Sequence, residues 1–355
     1  MKLSVVLSTL RGKDVNSKLL VDYLTRSVLT PIETSALKTT GTASAASGQV
    51  KYRCPLTELQ CGHGSGVNVY LVIHNQHRST FLEHSVHLYS AALDVCPQLS
   101  ISIIPLIGTG EEAAHDAVNQ EGTRAFAASP PCAPCKQRQQ QFEELCPGGG
   151  EGMGLYEDAA AVLREWRLVD KNFMRDAKGF QPNYQYVAVG GTFDHFHSGH
   201  KVLLSTAALY AVQKLRIGVT DAALLKKKKF AESLQPLELR MEHVVQFMQK
   251  MRPDLELEVA PISEISGGTK DIADIEALVV SPETAKSLSV INEMRAANGG
   301  LAPMVGIPIP LVQSPTGESI SSTLLRQLQA WKDDGGVLEE VGMHEGVKAG
   351  SGLGP

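Results

Sequence analysis

The chain has few of the features that would place it in a membrane or on nucleic acid. Only 5% of its 355 residues are aromatic, and its formal net charge is −5 at pH 7, so no basic field for nucleic acid is expected. No apolar run reaches the roughly 18 residues that a membrane-spanning helix needs. A G-x-x-x-x-G-K-[ST] loop is also missing, so the sequence does not indicate a P-loop kinase domain. Small-molecule substrates are the expected partners, and the oligomeric state stays open.

Cysteine is absent from the C-terminal half of the chain. All six cysteines precede residue 147, and Cys132 and Cys135 form a C-x-x-C pair. Such a pair can be redox-active or can form half of a zinc site, but no second pair accompanies it, and it lies in a Pro/Ala/Gln-rich stretch. Free thiols in a loop are expected, with zinc as the alternative.

The first residues, MKLSVVLSTLRGK, do not form a typical secretory signal, because their apolar core is short and no A-x-A site follows. A mitochondrial presequence is a weaker alternative, since Asp14 soon follows the basic residues. We therefore expect a cytoplasmic protein.

The length predicts two domains. Alternating strand-like and helix-like runs predict a smaller α/β domain of unknown role in residues 1–150, with a polar loop or linker at about 110–155. A short helix is expected over residues 156–170. Strand-like and helical runs alternate again over residues 180–335, and residues 336–355 are expected to form a flexible tail.

The second domain is predicted to be a doubly wound parallel sheet that binds ligands at the carboxyl ends of its strands. Pro308 and Pro310 place the last strand-like run, MVGIPIPLV, at an edge of that sheet.

The most informative segment of this domain is His197-Ser198-Gly199-His200. Residues 186–189 form a buried strand run, Gly190–Gly191 are expected to make a sharp turn, and a helix is expected over residues 200–213. Both histidines then lie in the first turn of a helix, where free N–H groups attract anions. Because they are three residues apart, they can donate to one phosphate together.

An H-x-x-H pair can also bind a metal. A zinc site needs three or more ligands with supporting spacing, and the Glu of the metalloprotease pattern is missing here. No metal ligand is therefore predicted from the protein.

Polar segments follow three further strand runs of this domain. DAALLKKKK (residues 221–229) brings lysines to the end of a strand, and Lys228, with Lys226 as the alternative, is the expected phosphate ligand. Ser281, Glu283 and Thr284 open another helix, although plain helix capping explains them equally well. Near the last helix, hydroxyl groups and a counter-charge are supplied by Ser319, Ser321, Ser322, Thr323 and Arg326.

Together, GGTFDHFHSGHKVLL, GVTDAALLKKKK, LVVSPETAKSLSVINEMR and SISSTLLR resemble eukaryotic-type phosphopantetheine adenylyltransferases of the H-x-G-H nucleotidyltransferase superfamily. The resemblance covers roughly residues 184–330. It implies a Rossmann-like nucleotidyltransferase catalytic domain that transfers the adenylyl group of ATP, with Mg²⁺, to 4′-phosphopantetheine. The products are dephospho-coenzyme A and pyrophosphate, in coenzyme A biosynthesis.

The resemblance also implies roles for individual residues. The catalytic group comprises His197, His200 and Lys228. The acceptor substrate is expected to contact Thr192, Asp194, Lys226 and Lys228. ATP is expected to contact Gly191, Thr192, Phe193, His200, Ser281, Glu283, Thr284, Asn292, Ser319, Ser321, Ser322, Thr323 and Arg326.

One segment departs from the family pattern. Where the family usually has a D-x-x-G-P-like stretch, this chain has SEISGGTKDIADIE, which bears on the pantetheine-side contacts. The alternatives are a cytidylyltransferase that makes a CDP-alcohol, a more distant nicotinamide mononucleotide adenylyltransferase, and a non-catalytic nucleotide-binding relative.

Overall fold

The computed structural model describes residues 2–27, 30–31, 52–53, 66–75, 77–95, 99–108, 154–156, 159–171, 183–226, 228–310, 312 and 321–333. The predictions for Cys132, Cys135, Ser319 and the tail at 336–355 lie outside the described residues, as does most of the linker at 110–155.

The first half of the chain forms a five-stranded mixed sheet in the order β6-β1-β4-β5-β7. Its parallel centre consists of β1 (Lys2–Ser8), β4 (Gly66–Val72) and β5 (Ile101–Gly108). The edge strands β6 (Gly154–Tyr156) and β7 (Trp166–Leu168) run antiparallel to their neighbours. The short strands β2 (Thr30–Pro31) and β3 (Tyr52–Arg53) pair separately.

Within the described residues, three helices accompany this sheet: α1 (Lys13–Ser27), α2 (Arg78–Val95) and α3 (Ala159–Glu165). The single helix expected over residues 156–170 is wrong in extent. Its centre is α3, but from Trp166 the chain is extended, because β7 pairs with β5 and Trp166 enters the core beside that sheet. A local pattern of seven helical residues cannot reveal this pairing partner.

The second half forms a parallel sheet in the order β10-β9-β8-β11-β12, which confirms the predicted fold class. Its strands are β8 (Tyr184–Gly191), β9 (Ala211–Thr220), β10 (Glu256–Ile262), β11 (Ala277–Val280) and β12 (Val305–Pro308). β12 lies at an edge, as its prolines predicted.

The helices of the second half are α4 (Ser198–Tyr210), α5 (Ala222–Leu225), α6 (Leu237–Met251), α7 (Ala285–Ala297) and α8 (Ser322–Asp333), with a 3₁₀ turn at Ala231–Ser233. The helix expected over 200–213 ends earlier, at Tyr210. Ala211 is already extended and pairs with Tyr184, so the chain passes from α4 into β9 without a loop.

The two sheets share one hydrophobic core. A single cluster of buried side chains includes residues of β1, β4, β5 and α2 together with residues of β8, β9, α4 and α6. The domain limits at 150 and 180 stay predictions, and β6 and β7, which fall between these limits, belong to the first sheet. No helix in the described part of the chain has the length and apolar character needed to cross a membrane.

Candidate active site

The strand order of the second sheet reverses at β8, the first strand of that half. From β8 the chain adds β9 and β10 on one side and β11 and β12 on the other. Ligands of open α/β sheets bind at such a switch point, beyond the carboxyl ends of the strands. Val189 pairs with Val279, so Gly191 and Ser281, each two residues further on, end next to each other. The loops after β8 and β11 therefore flank one crevice.

The sequence predicted a sharp turn at Gly190–Gly191, and this prediction is wrong. Gly190–Gly191 lie inside the strand, and the left-handed conformation falls on Phe193 (φ 51°) and His195 (φ 46°). The glycine at position 191 provides space instead, because a Cβ there would lie 3.1 Å from the Phe193 ring. His195 is held in place: its N–H donates to Gln235 Oε1 at 2.8 Å.

The histidine pair stands at the start of α4, with the two rings stacked at a centroid distance of 3.9 Å. His197 is the N-cap residue, and its Nδ1 accepts from the Gly199 N–H at 3.2 Å. In the neutral ring this leaves the proton on Nε2, which lies 3.3 Å from the Ser322 hydroxyl. His200 packs between the rings of Phe193 and Phe196.

Burial determines the protonation state of this pair. Desolvation by burial, and after it the charges of Lys201 and His195, together lower the pKa of His197 to about 3. The pKa of His200 is lowered well below its usual value, mainly by burial and then by His197 and Lys201. Both rings are therefore neutral near pH 7, and each offers an N–H donor. Within the described part of the chain, His200 Nδ1 is buried and has no hydrogen-bond partner.

Asp194 and Arg326 form a fully buried ion pair, with 2.8 Å between Oδ2 and Nη1. Asp194 Oδ1 also accepts from the Gln235 N–H at 2.9 Å. The Arg326 guanidinium donates to the Lys229 carbonyl at 3.0 Å and to the Thr323 hydroxyl at 3.1 Å. In this structure both side chains hold three loops together, and the ligand contacts expected of them stay predictions.

The serine and threonine segment before α8 meets the histidine segment directly. The Ser322 hydroxyl donates to the Asp194 carbonyl at 3.0 Å and lies beside His197. Ser321 Oγ accepts from the Leu324 N–H at 3.3 Å, at the start of the helix. Two segments that are more than 120 residues apart in the chain therefore form one wall of the crevice.

The lysine run lies on the surface at the end of β9. Lys226, Lys228 and Lys229 are exposed, and Asp221 caps α5 in front of them. The loop is fixed by the bond from Arg326 to the Lys229 carbonyl, while the lysine side chains point to solvent. Which lysine contacts phosphate stays a prediction.

The residues after β11 bond mainly to one another. The Ser281 N–H donates to Thr284 Oγ1 at 2.9 Å, the Thr284 N–H donates to Ser281 Oγ at 3.3 Å, and Glu283 is exposed. Asn292 uses both ends of its amide on the main chain of Met304, at 3.0 and 2.8 Å, and so ties α7 to the start of β12. Their expected nucleotide contacts also stay predictions.

Arg240 is a residue of the site that the sequence motifs did not predict. Its side chain is buried; Nη1 donates to the carbonyls of Thr192 (2.7 Å) and Thr220 (2.9 Å), and Nε donates to the Gln235 carbonyl (3.0 Å). It therefore joins the loops that follow β8 and β9. A signal was present, because this arginine stands on the apolar face of α6, four residues before the buried Val244.

A cavity of about 360 Å³ opens beside Arg240, between α5 and the residues that precede α6. Leu225 and Leu234 contribute apolar walls, and Asp221 and Lys226 contribute charged groups. It borders the carboxyl end of β9, next to the strand that carries the histidine segment. Among the residues that the structure describes, no three His, Cys, Asp or Glu side chains group as a metal site would require.

The chain is similar to known nucleotidyltransferases over the half that carries this site. A family model described as cytidylyltransferase-like matches residues 188–328. Phosphopantetheine adenylyltransferase of Saccharomyces cerevisiae is 35% identical over 183 residues, which are 50% of this chain and 58% of the yeast protein. That of Pyrococcus abyssi is 38% identical over 144 residues, which are 40% of this chain and 89% of the archaeal protein.

A solved structure of a protein with unknown function from Archaeoglobus fulgidus is 32% identical in sequence to this chain, with a TM-score of 0.32. The match covers 35% of this chain and 89% of the archaeal chain. This chain spans somewhat more than half of the yeast relative and nearly all of the archaeal one. With this identity over nearly the whole archaeal protein, the chain belongs to the phosphopantetheine adenylyltransferase family.

Proposed function

We propose that the protein transfers the adenylyl group of ATP to 4′-phosphopantetheine, which yields dephospho-coenzyme A and pyrophosphate. A phosphate oxygen of the acceptor attacks the α-phosphorus of ATP and forms the new P–O bond. The bond from the α-phosphorus to the bridging oxygen breaks, and that oxygen leaves with pyrophosphate. No protein nucleophile is needed, because the acceptor phosphate is itself the nucleophile.

The observation that carries this proposal is the stacked, neutral histidine pair at the helix start, in the crevice at the switch point. Among the described residues, His197 Nε2 has the Ser322 hydroxyl, at 3.3 Å, as its hydrogen-bond partner, and His200 Nδ1 has none. Both N–H groups can therefore turn to a phosphate oxygen. Hydrogen-bond donors that are preorganised in the site stabilise the negative charge that develops in the transition state.

The triphosphate also needs positive charge, which we assign to the lysines at 226–229, with Lys228 as first choice. Mg²⁺ enters as part of the ATP-Mg²⁺ substrate, and the Asp194 carboxylate beside the histidine segment is paired with Arg326. Hydroxyl groups of Ser321 and Ser322 lie at the start of α8, where free N–H groups favour anions. Binding of this substrate is thus shared between the two helix starts.

The direct test is release of pyrophosphate by the full-length protein. ATP and CTP are each combined with 4′-phosphopantetheine, phosphoethanolamine and nicotinamide mononucleotide. We expect turnover with ATP and 4′-phosphopantetheine and at most traces with the other pairs. Turnover with CTP and phosphoethanolamine would instead establish the cytidylyltransferase alternative.

The role of the histidine pair is tested in the same assay. His200→Asn removes a donor that acts in the transition state, so we expect kcat to fall on the order of 10² to 10³-fold. His87→Asn is the matched control, because His87 lies on α2, away from the crevice, and should leave kcat unchanged. A folded His200→Asn protein with normal turnover contradicts the assignment.

A cytoplasmic location stays a prediction.

A further inference from the structure

The helix that carries the histidine pair is held at both ends by the first half of the chain. At its start, Lys201 Nζ donates to the Ile101 carbonyl of β5 at 2.5 Å and lies 3.4 Å from Ser100 Oγ. Lys201 directly follows His200 and belongs to the first turn of α4. The first sheet therefore reaches within one residue of the catalytic pair.

The far end of α4 is held by Arg78 of α2. This buried arginine donates to the Leu209 carbonyl at 3.2 Å and to Asn183 Oδ1 at 2.6 Å. Its guanidinium also stacks over the Tyr210 ring, 3.9 Å from the centroid. A cation at the C-terminal end of a helix interacts favourably with the helix dipole. The N-terminal half thus binds α4 at two points that are eight residues apart.

Lys201 is an unusual group to find in a core. It is only 4% exposed, and the acceptors described for its ammonium, a carbonyl and a hydroxyl, are neutral. A buried lysine without a carboxylate costs folding free energy, so its presence calls for another effect. Burial, with a smaller contribution from Lys250 of α6, lowers the pKa of Lys201 to about 7.

The charged and titratable groups around Lys201 belong to the catalytic segment and to α6. Among the described residues they are His197, His200 and Lys250, and His195 acts in turn on the two histidines. The ring of Phe196 lies 5.8 Å from Nζ, and that ring also packs on His243 of α6. Because the ammonium charge lowers the pKa of His197 and of His200, Lys201 affects both the place and the protonation of the pair.

We propose that Lys201 is a positioning residue for adenylyl transfer: its bond to the Ile101 carbonyl of β5 sets where α4 begins, and so where His197 and His200 stand in the crevice. This proposal rests on the proposed function. It gives the first half of the chain a role, as the support against which the catalytic helix is placed. Arg78 supplies the second point of that support.

The test uses three variants of the full-length protein. Lys201→Met removes the ammonium but keeps the apolar stem, and Lys201→Gln keeps a shorter N–H donor. Lys270→Met is the matched control, because Lys270 pairs with Glu264 and Asp271 on the surface, away from α4. Kinetics with ATP and 4′-phosphopantetheine, hydrogen exchange of residues 197–204, and histidine titration by NMR are compared.

We expect Lys201→Met to lower kcat by roughly 10 to 10²-fold, since a misplacement of about 1 Å can cost that much. KM for ATP should change little, because the histidines act mainly in the transition state. The kcat of Lys201→Gln should lie between the values for Lys201→Met and for the unsubstituted protein. Amides at 197–204 should exchange faster, and the pKa values of His197 and His200 should rise, because a neighbouring positive charge is gone.

A kcat within twofold of the unsubstituted protein in Lys201→Met, with unchanged exchange and titration, overturns the proposal. The exchange and titration measurements need no turnover, so they test the positioning role of Lys201 separately from the proposed adenylyl transfer. If the unsubstituted protein releases no pyrophosphate, the proposed function fails. The positioning role then depends on exchange and titration alone: faster exchange and raised histidine pKa values support it, and unchanged values overturn it.

Discussion

At the scale of single residues, the site depends on charged and polar groups that are withheld from water. The histidines are neutral because burial disfavours their charged form, and the carboxylate of Asp194 is paired with the Arg326 guanidinium. Each arrangement couples the site to the stability of the fold, so each can be tested without a substrate.

The partly buried histidines predict sensitivity to acid. Their pKa values are lower in the folded than in the unfolded protein, so between pH 6.5 and about 3 the unfolded chain binds more protons. The contribution of each neutral histidine to the free energy of unfolding is therefore complete above pH 6.5. It is lost as the pH falls, by up to about 1.4 kcal/mol per pH unit for each histidine. Urea unfolding at pH 7 and pH 5 measures this, and His200→Phe should show a smaller loss than the unsubstituted protein.

The ion pair predicts a large effect of a small change. Asp194→Asn leaves the guanidinium of Arg326 buried without a counter-charge, so we expect a loss of about 3 to 5 kcal/mol in the free energy of unfolding. The matched control is Asp170→Asn, which breaks the 3.2 Å pair with the half-exposed Arg167 and should cost less than about 1 kcal/mol. Equal costs in urea denaturation would contradict this account.

At the scale of elements, the crevice is built from loops whose positions depend on buried ties between strands and helices. Arg240 of α6 joins the ends of β8 and β9, and Asn292 of α7 holds the start of β12. The sequence predicted these strands and helices, but it did not predict which side chains would link them.

Removal of the Arg240 tie should affect binding as well as stability. Arg240→Met leaves the Thr192, Thr220 and Gln235 carbonyls without this donor, which we expect to cost about 1 to 3 kcal/mol. The loops after β8 and β9 should then move, and KM for the substrates should rise severalfold. Arg167→Met on the surface is the control. Unchanged KM values and an unchanged urea midpoint would show that Arg240 does not hold the loops after β8 and β9 in place.

Close packing of strands predicts a second element-scale effect, at Gly66. A Cβ at this position would lie 2.7 Å from the Ser100 carbonyl oxygen, so Gly66→Ala must displace main chain at the start of β4 and β5. We expect a loss of about 1 to 3 kcal/mol, the usual range for overpacking. Gly12→Ala is the control, since nothing lies within 4 Å of its Cβ position. Thermal unfolding of both variants makes the comparison.

At the scale of the whole molecule, the two sheets share a core, and this should make unfolding cooperative. One cluster of buried side chains spans both halves, and α4 is bonded to β5 at its start and to α2 at its end. We therefore expect one transition in urea. Peptides from β1 and β8 should lose protection from hydrogen exchange at the same urea concentration, as a shared core requires. Two separate midpoints would show that the halves are independent.

The sequence alone determined the kind of elements and the chemistry of the crevice. The apolar runs that became β8, β9 and β11 and the helical run after His200 were visible locally, because the burial pattern of a strand or helix is written into consecutive residues. The histidine, lysine and serine segments could be placed at strand ends for the same reason. The left-handed residues after β8 and the strand at Trp166 could not, since both depend on neighbours distant in the chain.

Only the tertiary structure decided how those segments are held. The Asp194–Arg326 pair, the bonds from Arg240 to the Thr192 and Thr220 carbonyls and the bond from Lys201 to Ile101 each join residues at least 20 positions apart, and most join residues much further apart. No local periodicity encodes such a pairing, because its free energy comes from the shared burial of groups brought together by the fold. The sequence thus specified the polar groups of the crevice, and the packing of two sheets specified their positions and protonation states.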